Sequence, residues 1–205
     1  MNAQHEAMWA YVQDSFLALG CRKDPNRPFR DKLSHTRRVT GLVLRLAEAE
    51  GGDADLLTTC AIFHDLGYTV DTAEHPLHSA RLCRAWLEAH GYPAEYIEKA
   101  EAVIRNHGDK RLLRTDTEIN TLLLIEADNL DEKGALDVLW DAMEEGGRAD
   151  PSYEATADRI IRCTRRREHN IMVTPTARRL WRERLSLLRH MSRALKEELS
   201  EDILP

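Results

Sequence analysis

The stretch Cys60-Ala61-Ile62-Phe63-His64-Asp65-Leu66-Gly67-Tyr68 ends an apolar run with two adjacent titratable side chains, His64 and Asp65. A carboxylate in such a place needs a partner, because burial without one is costly or removes its charge. An arginine, a set of backbone donors or a metal ion could serve. The run reads as a helix ending at Gly67, with Asp65 in the last turn, where the negative end of the helix dipole disfavours a carboxylate. A bound cation reverses that balance and also accounts for the imidazole beside it.

Further candidate ligands fall on helix faces or near helix ends: His35, His78, His107 and Asp128. Imidazole and carboxylate together suit first-row divalent metals. Taken singly, each has a plainer reading. His35 could be a satisfied core histidine, His78 and His107 ordinary helix-end residues, and Asp128 the cap of the segment that follows. His75, directly before Pro76, reads as loop.

The elements that must position these residues are helical throughout. In Asp31–Gly52 the residues His35, Val39, Leu42, Val43 and Leu46 share one face, and Gly51-Gly52 ends the pattern. Asp53 can cap the next helix, which leads to the His64-Asp65 pair. A third begins near Pro76 and stops at Gly91, with Leu77, Leu82 and Trp86 as core residues. A fourth ends at His107-Gly108, and a fifth carries the apolar run Leu122–Ile125 and delivers Asp128. Further helices are predicted at about 134–145, 152–167 and 175–200, the last with Thr174 as cap and Pro175 at its first position. No segment alternates with a period of two, so no sheet is expected and the fold class is all-α.

Composition narrows the function. The chain has 205 residues, 42% hydrophobic and 31% charged, with a formal charge of −6. That is a globular composition and argues against a general nucleic-acid binder. The arginines of "RIIRCTRRREHN" and "TARRLWRERLSLLRH" are interleaved with acids and few aromatics, which favours a solvated face making ion pairs. No apolar segment reaches the roughly 18–20 residues of a membrane span, and the first residues do not read as a signal peptide. A cytoplasmic protein without membrane partners is expected. Cys21, Cys60, Cys83 and Cys163 form no C-x-x-C pair and read as reduced core thiols.

Taken in order, His35 in "SHTRRV", His64 and Asp65 in "FHDLG" and Asp128 in "EADNLDEKGA" resemble the HD superfamily of metal-dependent phosphohydrolases. "HSARL", "IRNH" and "TPTARRLWRERL" extend the resemblance to a bacterial subgroup of small HD hydrolases over nearly the whole chain. The resemblance implies one HD domain over residues 1–205, with a metal-binding core at about 20–146 and a C-terminal helical pair, about 150–200, packed back on it. Two departures stand out. Tyr68 occupies the position of the lysine in H-D-x-x-K, and Glu126-Ala127-Asp128-Asn129-Leu130-Asp131 stands where the subgroup often reads D-A-D-K-L-D.

The resemblance implies that His35, His64, Asp65 and Asp128 bind a divalent ion (manganese, iron, zinc, cobalt, nickel or magnesium). Metal-bound hydroxide would then attack a small phosphorylated substrate, a nucleotide being the leading class. Dinuclear relatives use extra histidines, here His78 and His107, for a second ion bridged by the doublet aspartate, so one or two ions per chain are expected. Asp131, one turn after Asp128, could move a proton or be a solvated helix-end residue. Arg38, three residues after His35, and Lys110 could bind phosphate. The competing readings are an HD-type diiron oxygenase and a catalytically idle HD-fold binding module.

Overall fold

The computed structural model describes residues 2–20, 22–24, 27–131 and 133–200. The chain divides into two compact units, Met1–Asp131 with Val173–Ala177, and Glu132–Met172 with Arg178–Pro205. The class is all-α, as expected. Cys60, Cys83 and Cys163 are buried free thiols, and Cys21 lies outside the described residues.

The first unit contains helices α1 (Ala3–Ala18), α2 (Lys32–Glu50), α3 (Ala54–Phe63), α4 (His75–Ala89), α5 (Ala94–Asn106) and α6 (Ile119–Leu130). Helix α3 is buried on every side from Leu56 to Phe63, which is how a helix apolar all round must sit. It packs against α1, α2, α4, α5 and α6. Its C-terminal end is therefore interior, and the residues there, His64 and Asp65, are 0% and 5% exposed.

The helix stops at Phe63 rather than running to Gly67, and a 3-10 turn follows at Leu66–Thr69. The cause is a close approach by α4. The Gly67 N–H donates to Ser79 Oγ at 2.7 Å, and a Cβ on Gly67 would lie 2.1 Å from the His75 carbonyl oxygen. In α4 itself Trp86, Leu87 and Cys83 are buried, whereas Leu77 and Leu82 are only half-buried.

The expectation of no sheet is corrected by a short antiparallel ribbon, β1 (Lys23–Asp24) against β2 (Arg27–Asp31). Strands this brief carry no readable alternation. The ribbon sets the start of α2: the Lys32 N–H donates to the Arg22 carbonyl at 2.9 Å, and Asp31 accepts from the Ser34 N–H at 2.9 Å as N-cap.

The second unit contains α7 (Ala135–Gly146), α8 (Tyr153–Arg167) and all but the first turn of α9 (Pro175–Glu198). Helix α7 turns Asp137, Asp141 and Glu145 inward, and all three are buried. Arg167 of α8 lies 2.6 Å from Asp137 and 2.8 Å from Asp141, and Arg159 lies 3.1 Å from Asp141. These arginines make ion pairs, as expected, but in a buried seam rather than on a solvated face. Burial pushes the Asp137 carboxyl up to about 6; Lys133 and Arg167 pull it down, while Asp141 adds repulsion.

Two predictions follow from this packing. Gly67→Ala must push the 3-10 turn away from α4 and should cost about 1–3 kcal/mol or more, read by chemical denaturation; unchanged stability would disprove the close approach. For Asp137, a folded pKa above the unfolded value near 3.9 means that the folded state holds the proton more tightly. Its stabilising contribution is complete below about pH 4 and is lost as the pH rises through about 6, at no more than about 1.4 kcal/mol per pH unit. Asp137→Asn cannot ionise, so the wild type should lose stability relative to the variant across that window. A wild-type-minus-variant difference that stays constant with pH would sink this assignment.

Candidate metal centre

Four helix ends deliver side chains to one buried point. His35 lies in the first turn of α2, His64 directly follows α3, His75 opens α4 and His107 directly follows α5. Each imidazole is held by the same kind of bond. His64 Nδ1 donates to the Ala61 carbonyl at 2.7 Å, His107 Nδ1 to Ile104 at 2.7 Å, and His75 Nδ1 to Thr72 at 3.1 Å. A carbonyl only accepts, so these Nδ1 atoms carry the proton and the Nε2 atoms are left bare. At the ends of α3 and α5 the bonded carbonyls belong to the last turn, and that of Ile104 also accepts the His107 backbone N–H at 3.3 Å.

His35 follows the same rule with a carboxylate in place of a carbonyl. Its Nδ1 lies 2.7 Å from Asp131 Oδ2. Arg38 in turn grips Asp131 with Nε at 2.7 Å and Nη2 at 2.9 Å. Asp131 is 5% exposed, which corrects the solvated alternative: it stands behind His35 and fixes that ring.

The bare nitrogens converge on Asp65. His35 Nε2 is 3.5 Å from Asp65 Oδ2, while His64, His75 and His107 Nε2 lie 3.5, 3.7 and 3.9 Å from Oδ1. Asp128, partly exposed, brings Oδ1 to 3.3 Å from His35 Nε2. Ligand atoms of His35, His64 and Asp65 lie within 4.8 Å of one another, and so do those of Asp65, His75 and His107. His78 joins neither group; it is half-buried, and its charge acts on Asp71. His75 stands where His78 was expected.

The donor set fits a divalent metal. His35 and His64 point their Nε2 atoms at each other across 3.2 Å, and with both Nδ1 protons committed elsewhere these are two facing lone pairs. Only a proton or a metal ion between them relieves that contact. The electrostatics agree. Burial alone would lower His35, yet Asp128, Asp131 and Asp65 raise it to about 10, so without metal the proton between the two rings sits on His35 Nε2, and a bound ion must displace it. Burial lowers His64, His75 and His107, keeping them neutral as ligands must be. Against the pull of burial, His64, Lys32, His35 and His107 hold Asp65 well below the usual carboxylate range, and His35, His64 and Lys110 do the same for Asp128.

One residue at this point was missed from the sequence. Lys32, one turn before His35, is 4% exposed and places Nζ 2.8 Å from Asp65 Oδ2 and 3.3 Å from the Tyr68 ring centroid. The available signal was its position: a lysine in the first turn opposes the helix dipole and needs a compensating anion. Lys110 is half-exposed, with Nζ 3.6 Å from Asp128 Oδ2.

The HD-domain family model matches residues 33–133, a span containing every histidine and aspartate of the cluster. No curated protein matches the chain. An HD-superfamily hydrolase from Bacillus thuringiensis aligns with a TM-score of 0.68 at 20% identity, over 97% of this chain and 98% of its own. A predicted HD superfamily hydrolase from an uncultured Thermotogales bacterium gives 0.66 at 22%, over 95% and 92%. Bacillus subtilis YpgQ, solved in complex with ADP, gives 0.64 at 21%, over 96% and 98%. At these identities the likeness to the solved structures is one of fold. No described helix is long and apolar enough to cross a membrane. With the family match spanning the helix ends that carry the cluster, residues 33–133 are an HD domain.

Proposed function

We propose that the chain is a metal-dependent phosphohydrolase that cleaves a phosphoester or phosphoanhydride of a small metabolite, with nucleotides as the substrate class. The observation that carries this reading is the common orientation of His35, His64, His75 and His107, each tied through Nδ1 and turned through Nε2 toward Asp65. A divalent ion held by His35, His64, Asp65 and Asp128 would polarise a phosphoryl oxygen and bring the pKa of a bound water toward neutrality.

The chain's own groups have the remaining tasks. Asp131, engaged by His35 and Arg38, holds the His35 ring rather than shuttling a proton. Arg38 acts through that carboxylate. Lys110, half-exposed beside Asp128, is the side chain we assign to a substrate phosphate. The nucleotide class is supported by YpgQ, a neighbour in fold whose structure holds ADP.

The test is release of inorganic phosphate by metal-loaded protein from a panel of nucleotides and other phosphorylated metabolites, with oxygen uptake followed in parallel. Oxygen uptake without phosphate release would favour the oxygenase, and inertness in both assays the binding module. Asp65→Asn keeps the side-chain size but loses the charge, so it should retain near-normal helicity and lose most metal-dependent phosphate release. Persistent release from purified Asp65→Asn refutes the mechanism.

Asp131→Asn tests the support behind His35. Losing a carboxylate that orients a metal-binding histidine costs about 10–100-fold in metal affinity. The variant should show that loss in metal titrations while its helicity is preserved. Wild-type affinity would mean that His35 is held without Asp131.

A further inference from the structure

The cluster holds two overlapping sets of donors, and they are not equivalent in charge. The set around His35 and His64 draws on two carboxylates, Asp65 and Asp128, with Asp131 behind His35. The set of Asp65, His75 and His107 has Asp65 as its one carboxylate, and that residue is shared with the first. The same carboxylate also holds an ammonium: Lys32 Nζ lies 2.8 Å from Asp65 Oδ2, with both side chains 6% exposed, while His75 and His107 approach Oδ1.

The ammonium is fixed on the His75 side of the cluster. Nζ sits 3.3 Å from the centroid of the Tyr68 ring, and that ring stacks on His75 with centroids 4.0 Å apart. Lys32 is near enough to His75 to help lower its pKa.

We propose that Lys32 takes the place of a second metal ion, so that the centre binds one divalent ion per chain and the ammonium is its second positive charge. The inference rests on the metal reading above. Counting the close groups with the imidazoles neutral, as ligands must be, Asp65, Asp128 and Asp131 face Lys32, Arg38 and Lys110, which leaves no net charge apart from the metal. One dication makes the centre positive by two charges, which suits a phosphate substrate. A second dication would meet the ammonium at short range inside a buried site, where water and salt screen little. A two-ion clamp on the attacking and leaving oxygens is therefore replaced by one ion and one lysine. Oxygen chemistry that needs two irons is closed off by the same contact.

The experiment is metal counting. Wild type and Lys32→Met are loaded with excess Mn2+, freed of unbound ion by gel filtration and analysed for manganese per chain. The wild type should hold about one ion and Lys32→Met about two, and adding His107→Ala to Lys32→Met should return the count to about one. Two ions in the wild type, or one in Lys32→Met, overturns the proposal. No ion in the wild type instead overturns the metal reading on which it rests. If Lys32→Met does not fold, His107→Ala alone decides: an unchanged count of one supports the lysine as occupant, and a fall in bound manganese shows that His107 holds the ion and overturns it.

Discussion

The charge on Asp65 is the constraint around which the first unit is organised. The carboxylate lies at the end of a helix buried on all sides, so neither water nor an exposed counterion can neutralise it. Neither is the local backbone placed to help, because a helix C-terminus presents carbonyls and the negative end of its dipole. Compensation must come from other elements. Lys32 brings a positive charge from the start of α2, and the neutral imidazoles of His75, from the start of α4, and His107, from the end of α5, face the same carboxylate. The helices thus meet where a positive partner is needed, and their packing and the chemistry of the site share one electrostatic requirement.

A second regularity links capping to the orientation of the imidazoles. The ends of α3 and α5 present last-turn carbonyls, and His64 and His107 donate their Nδ1 protons to them. That bond fixes the tautomer and aims Nε2 at the cluster. One interaction therefore ends the helix and prepares the ligand. Gly67 supports this from the other side, since its lack of a side chain lets the start of α4 come close enough for His75 to reach Asp65.

These causes explain what could be read in advance. Helix ends marked by local chemistry were legible: Gly51 in the left-handed conformation at φ 86°, Asp53 accepting two backbone N–H groups, and Pro175 opening α9. So was the meeting of His35, His64, Asp65 and His107, whose types and settings marked them as a group. The ribbon at Lys23–Asp31 was not, because a two-residue strand has no period to detect. Lys32 and His75 were missed because their partners, Asp65 and Tyr68, come from other elements. Asp137, Asp141 and Glu145 recur every four residues like an apolar stripe, and only the arginines of α8 explain why acids lie inward.

Helix α6 shows why carboxylates close in sequence differ in use. Each residue turns the helix by about 100°, so Asp128 and Asp131, one turn apart, share a side while Glu126 looks away from both. Asp128 faces His35 Nε2 and Asp131 faces His35 Nδ1, on two sides of one ring. Glu126, fully buried, accepts from the Val173 N–H, from the Thr174 N–H at 3.0 Å and from Thr174 Oγ1 at 2.6 Å. Its charge lies at the positive end of α9, where an anion is favoured, and Glu50 adds a second carboxylate by accepting from the Thr176 N–H at 2.7 Å. The extra methylene that distinguishes Glu126 from an aspartate is therefore used for reach toward Thr174. Glu126 thus serves the start of α9 and takes no part in the Asp128–His35–Asp131 arrangement.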